Sequence, residues 1–229
     1  PHLDALARGG MRFNNCFSTP KCSPSRVTIL TGRYTLRTTM EWGHVPPGEI
    51  TFGHVLGKAG YATALAGKWQ LGRIVDQPDR VARAGFQQSC VWGWHEGPRY
   101  WNPTIYHNGE IRRDVAGRYG PEVYCRFLID FIEPRRNRPF LAYYPMTLTH
   151  FPKKDEPKGP GGKWESFAEM VANMDRQVGR LVAALDRLGL REKTLILFTA
   201  DNGSPTRLTS RLGDRTIRGG KAQLTDAGT

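Results

Sequence analysis

Three times along this chain a stretch with helical apolar spacing runs into a short apolar segment, and no other feature restricts the possible folds so strongly. Thr51 to Ala59 carries Phe52, Val55 and Leu56 on one side, stops at Gly60 and leads into Tyr61-Ala62-Thr63-Ala64-Leu65. Pro121 to Glu133 places Val123, Tyr124, Phe127, Leu128 and Phe131 at helical spacing, and Pro134 ends it before Pro139-Phe140-Leu141-Ala142-Tyr143-Tyr144. The longest unit predicts a helix from about Trp164 to Leu188, because Phe167, Val171, Met174, Val178, Leu181, Leu185 and Leu188 alternate steps of four and three along one stripe. Gly189 stops it, and Thr194-Leu195-Ile196-Leu197-Phe198-Thr199 follows as a continuous apolar run, the pattern of a strand buried on both faces of a parallel sheet. Repeated units of this kind predict an α/β fold, a three-layer α/β/α sandwich with a mostly parallel central sheet.

Open parallel sheets place their sites just beyond the carboxyl ends of the strands, which directs attention to three polar groups. They are Gly67-Lys68-Trp69-Gln70, the segment from Thr147 to His150, and Asp201-Asn202-Gly203. Lys153 to Lys163, rich in Pro, Gly and Lys, reads as a surface loop, and Pro1 to Gly10 as a short amphipathic helix running into glycine. The 229 residues suit one core, and both ends fall within elements or loops, so the chain is expected to be part of a larger domain. No stretch approaches the apolar length of a membrane span.

A net charge of +12 favours an anionic partner. The basic residues are scattered, however, and no zinc-finger spacing, aromatic RNA-binding motif or basic helix supports nucleic acid. Trp92, Trp94, Trp101 and Tyr106 lie in a Gly-rich aromatic stretch that suits either the wall of a sugar or aryl pocket or the core. The four cysteines, Cys16, Cys22, Cys90 and Cys125, have no metal-ligand spacing and are too few for a disulfide scaffold.

The most specific segment is Cys22-Ser23-Pro24-Ser25-Arg26-Val27-Thr28-Ile29-Leu30-Thr31-Gly32-Arg33. Pro24 suits a first helical turn, which sets Cys22 at a helix N-terminus where free N–H groups favour negative charge. Cys-x-Pro-Ser-Arg followed by Leu-Thr-Gly-Arg resembles the signature of the type I, formylglycine-dependent sulfatases of the alkaline-phosphatase superfamily. The resemblance implies that a formylglycine-generating enzyme reads Cys22, Pro24 and Arg26 and oxidises Cys22 to formylglycine. One hydroxyl of the hydrated aldehyde then attacks sulfur, and the other expels sulfate by reforming the aldehyde.

Other motifs follow in the family's order. Gly60-Tyr61-Ala62-Thr63 and Gly67-Lys68-Trp69-Gln70-Leu71-Gly72 resemble Gly-Tyr-x-Thr and Gly-Lys-Trp-His-Leu-Gly, so Lys68 is expected to bridge nucleophile and sulfate. Gln70 stands where the family usually has histidine; it can donate a hydrogen bond but cannot exchange a proton near neutral pH. Thr147-Leu148-Thr149-His150-Phe151-Pro152 resembles the segment whose histidine faces the scissile ester oxygen, which makes His150 the expected proton donor to the leaving alcohol. Phe198-Thr199-Ala200-Asp201-Asn202-Gly203 is similar to the family's metal-binding strand end. Asp201 and Asn202 are then expected to bind Ca²⁺, with Mg²⁺ second, beside the modified Cys22. Arg218-Gly219-Gly220-Lys221 resembles the segment whose lysine contacts substrate sulfate, and Arg26 is expected to orient the nucleophile.

The resemblance covers essentially the whole chain and implies an alkaline-phosphatase-like fold acting on a small aryl or carbohydrate sulfate. It also implies a periplasmic, secreted or lysosomal setting. Residues 1–229 then form a partial catalytic domain, without a first strand bearing paired aspartate ligands and without a smaller C-terminal subdomain, and the chain alone is expected to be unstable or inactive. Two other functions compete: a phosphonate or phosphodiester hydrolase of the same superfamily, against which Asp201-Asn202 argues, and a noncatalytic protein that binds sulfated ligands, for which Gln70 argues.

Overall fold

The computed structural model describes residues 1–38, 43–94, 96–150, 159–163 and 166–229. Its helices are α1 (His2–Arg8), α2 (Cys22–Thr31), α3 (Phe52–Lys58), α4 (Gly120–Ile132) and α5 (Phe167–Arg187). Its strands are β1 (Ala62–Lys68), β2 (Gln88–Trp92), β3 (Tyr106–His107), β4 (Glu110–Ile111), β5 (Phe140–Tyr143), β6 (Thr209–Leu212) and β7 (Arg215–Arg218). They fall into two compact units, Pro1–Met11 with Ile50–Leu195, and Arg12–Glu49 with Ile196–Thr229.

The first unit is built on a sheet of order β4-β3-β2-β1-β5. β1 pairs in parallel with β2 and β5, while β2-β3 and β3-β4 are antiparallel, so a parallel centre carries an antiparallel ribbon at one edge. Every residue of β1 is buried. In register, Leu65 lies beside Tyr143 and Ala64 beside Ala142, which assigns the two faces. On the Tyr143 face, the Phe52 ring of α3 meets Tyr143 edge-on at 5.2 Å. On the other face small side chains, Ala62, Ala64, Ala66 and Ala142, leave room for α4, whose Pro121 carbonyl accepts the Tyr144 hydroxyl at 2.9 Å. Helices on both faces of a sheet with parallel strands at its centre give the α/β sandwich that the sequence predicts.

Local chemistry explains where these elements begin. Thr51 caps α3 by accepting the Gly53 and His54 N–H groups, and Gly60, at φ 88, turns the chain back into β1 in a conformation that side chains with a Cβ resist. α5 opens at Ser166 in a capping box with Glu169, with backbone N to side-chain oxygen distances of 3.2 Å and 2.6 Å. The predicted start at Trp164 lies outside the described residues. Ser166→Ala should lower stability by about 1 kcal/mol, read as a shift in the urea midpoint. Behind α4, α5 carries a buried chain of amides: Gln177 donates to Asn173 at 3.2 Å and Asn173 to the Tyr119 hydroxyl at 3.3 Å. The Asp175 carboxylate accepts the His2 and Leu3 N–H groups at 3.0 Å and 2.7 Å, so a side chain of α5 satisfies the open start of α1.

The apolar run Thr194–Thr199 forms no strand, contrary to expectation. Leu195 and Leu197 are 83% and 81% exposed. A strand exists only where a neighbour takes up its N–H and C=O groups, and among the described residues none pairs with this run in a ladder. Apolar composition identifies a segment suited to burial but does not supply the neighbour.

The second unit contains α2 and the antiparallel hairpin β6-β7. The residue preceding the helix, Lys21, is extended (φ −136, ψ 148), and Gly32 closes the helix in the left-handed region at φ 66.

Candidate active site

In the second unit Cys22 is the first residue of α2 and Pro24 lies in the first turn, as the sequence predicts. Ser25 fastens the approach to the helix. Its buried hydroxyl lies 3.0 Å from the carbonyls of Thr19 and Lys21 and 2.6 Å from the Thr19 hydroxyl, and it accepts the Thr19 N–H at 3.2 Å. Arg26, only 3% exposed, follows on the same helix.

Hydrogen bonds then tie remote segments to this approach. The Ser18 hydroxyl donates to the Asp201 carbonyl at 2.8 Å, the Ala222 N–H to the Pro20 carbonyl at 2.8 Å, and the Lys221 N–H to the Ser204 carbonyl at 2.9 Å. Cys22, Asp201-Asn202 and Lys221 are thereby carried on three segments sewn together, although about 180 residues separate the first two in sequence. The close packing needs glycine: a Cβ on Gly203 would overlap the Ala227 carbonyl oxygen. Ala222, directly after Lys221, has φ 69, a left-handed conformation uncommon for a residue with a Cβ.

Asp201 and Asn202 offer oxygen donors. Asn202 Nδ2 donates to Asp201 Oδ1 at 2.7 Å, which turns Asn202 Oδ1 the other way, and that oxygen is buried without a hydrogen-bond partner. An orphaned buried acceptor beside a carboxylate fits a hard divalent cation by donor type. Among the described residues no group of three His, Cys, Asp or Glu side chains gathers to complete such a site.

In the first unit, Lys68 ends β1 and is 5% exposed. Its N–H donates to the Pro145 carbonyl at 2.6 Å, which joins the ends of β1 and β5. Two residues later Gln70 is half-buried at φ 42, another left-handed residue with a Cβ beside an expected site lysine. β5 runs on to the turn from Thr147 to His150, where the His150 N–H donates to the Thr147 carbonyl at 3.2 Å. Lys68, Gln70 and His150 thus sit at the carboxyl ends of adjacent parallel strands, where an α/β sheet places chemistry. Arg99 and Tyr100, which no sequence motif marks, contact the His150 turn: Arg99 reaches the imidazole, and the Tyr100 hydroxyl lies 2.7 Å and 2.6 Å from the Thr147 and His150 carbonyls. The signal available was a charged residue in an aromatic, Gly-Pro stretch. That stretch is partly core, with Trp92 at 1% and Tyr106 at 8% exposure.

The remaining thiols divide by burial, and none of the four cysteines forms a disulfide. Burial pushes the Cys90 thiol up to about 12 and the Cys125 thiol up to about 11, so neither supplies a thiolate near neutral pH.

An α/β sheet whose parallel strands lead to Lys68 and to the His150 turn has the alkaline-phosphatase-like fold that the similar solved structures share. The chain belongs to the sulfatase family, whose pattern, described as Sulfatase, matches residues 1–228. Human arylsulfatase A is 31% identical over 100% of this chain and 52% of its own length, and mouse N-acetylgalactosamine-6-sulfatase 29% over 89% and 45%. The solved structure of Ps i-CgsB in complex with k-i-k-neocarrahexaose superposes with a TM-score of 0.71 at 26% identity, covering 89% of this chain and 53% of that one. The chain spans about half the length of the curated relatives it matches.

Proposed function

We propose that this chain carries the nucleophile of a sulfate-ester hydrolase that releases an alcohol and inorganic sulfate, with sulfated carbohydrates as its substrates. The observation that carries the reading is the sewing of the Cys22, Asp201-Asn202 and Lys221 segments into one unit. Cys22, once oxidised to formylglycine, supplies the hydrated aldehyde whose two hydroxyls allow attack on sulfur and subsequent release of sulfate. Lys68 and Lys221 offset the charge of the sulfate group, and Arg26 orients the nucleophile from within its helix. Asp201 and Asn202 would hold Ca²⁺, with Mg²⁺ second, which supplies fixed positive charge against a sulfate oxygen. Gln70 donates a hydrogen bond where a histidine would also exchange protons.

Burial bears on maturation. Pro24 and Arg26, two of the three residues a formylglycine-generating enzyme reads, are buried in the folded chain. The oxidation therefore belongs before folding, on an extended segment.

The carbohydrate class rests on the relatives, one named N-acetylgalactosamine-6-sulfatase and one solved in complex with k-i-k-neocarrahexaose, while the net charge of +12 favours an anionic ligand. The test pairs intact mass with turnover, on full-length protein from a host competent in formylglycine maturation. The expected results are a loss of about 18 Da at Cys22 and hydrolysis of an aryl sulfate in preference to an aryl phosphodiester. Preference for the diester would replace sulfate with phosphate as the substrate group, and an unmodified thiol with no turnover would leave a protein that only binds.

A further inference from the structure

Arg99 lies in the loop after β2, 4% exposed, with its guanidinium carbon 4.4 Å above the Trp92 ring. The indole is itself held, since its Nε1–H donates to the Gly97 carbonyl at 2.9 Å. A guanidinium stacked on a fixed, buried indole has little rotational freedom, and one of its terminal nitrogens stands 3.1 Å from His150 Nδ1. The next residue, Tyr100, contacts the carbonyls of Thr147 and His150 through its hydroxyl. Two consecutive residues thus grip both the backbone and the ring of the His150 turn.

The ring contact decides the tautomer. A guanidinium has five N–H donors, no acceptor, and does not deprotonate in proteins, so in this contact Nδ1 can only accept. A neutral imidazole that accepts at Nδ1 carries its single proton on Nε2. An imidazolium, with N–H groups at both positions, cannot make the contact at all.

We infer that Arg99 is a positioning residue that holds His150 as the neutral Nε2–H tautomer, with Nε2 presented as a hydrogen-bond donor. The geometric part stands on the Arg99, Trp92 and Tyr100 contacts; its consequence for turnover rests on the sulfate-ester reading. Under that reading His150 stabilises the departing ester oxygen as an oriented hydrogen-bond donor rather than as the proton-donating acid that the resemblance implies, and Arg99 acts through it without touching substrate.

The test uses full-length protein labelled with ¹⁵N-histidine, with the His150 resonances identified by their loss in His150→Gln. Multiple-bond ¹H–¹⁵N spectra should show Nδ1 unprotonated and Nε2 protonated in the wild type. Arg99→Met should shift the ring to a mixture of forms, whereas Arg99→Lys, which keeps a cationic donor, should retain the wild-type pattern in part. With an aryl sulfate, Arg99→Met should lower kcat by about 10- to 100-fold, the range for losing a residue that orients a working histidine, with a much smaller change in KM. A protonated Nδ1 in the wild type, or an unchanged ¹⁵N pattern in Arg99→Met, overturns the inference. The expected tautomer in a protein without sulfatase activity would support the positioning role and sink the proposed function, so the two failures are separable.

Discussion

Gly67→Ala is expected to destabilise the protein by about 3 kcal/mol, from two costs that act at the same atom. Gly67 sits at φ 120, outside the range that residues with a Cβ adopt readily, and a Cβ there would overlap the Pro145 carbonyl oxygen. That carbonyl already accepts the Lys68 N–H at 2.6 Å. The methyl group cannot be accommodated by a flexible side chain moving aside; either β1 or the chain after β5 must shift, and both lead to expected site residues. Gly60→Ala is the control. Gly60 also has positive φ, at 88, but a Cβ there has nothing within 4 Å, so only the backbone cost of about 1 kcal/mol applies. Urea denaturation of the two variants separates the effects, and equal losses would mean that the close approach to Pro145 is not a constraint.

In the full-length protein Cys22→Ser is expected to abolish steady turnover of an aryl sulfate, a fall on the order of a thousandfold or more, as removal of a nucleophile does elsewhere. Serine supplies a single hydroxyl. It can form a sulfate ester, but it has no second hydroxyl with which to expel the sulfate. The expected record is a release of alcohol that stops at one equivalent of enzyme, with sulfate retained on residue 22 in the intact mass. Cys22→Ala should give neither burst nor turnover. Substitution of Cys90 by Ala should leave kcat unchanged, since a thiol raised to about 12 by burial has no part in the chemistry. Steady turnover by the serine variant would remove the aldehyde from the mechanism.

Much of this was legible in the residues. The helix spacing at 52–58, 120–132 and 167–187 predicts α3, α4 and α5 to within a few residues, because one apolar stripe per helix leaves a periodic trace, even though Val55 and Val171 of those stripes are exposed. Cys22 at the opening of α2 was legible from Pro24. β2, β3 and β4 were not, since Gln88–Trp92 lacks alternation and two-residue strands leave too little pattern to detect. Arg99 was invisible for a different reason: its significance lies in a ring 51 residues away. The run at 194–199 shows the opposite error, composition without pairing.

The amino-acid order alone determined the α/β class, the helix that opens with Cys22 and the identity of the expected site residues, because each leaves a local mark in spacing or residue type. Tertiary structure decided which remote segments are sewn to the Cys22 approach, which run of apolar residues finds a strand partner, and which nitrogen of His150 carries its proton. Those outcomes depend on hydrogen-bond partners brought from about 50 to about 200 residues away, and a hydrogen bond is a property of two positions in space that neither partner's local sequence contains.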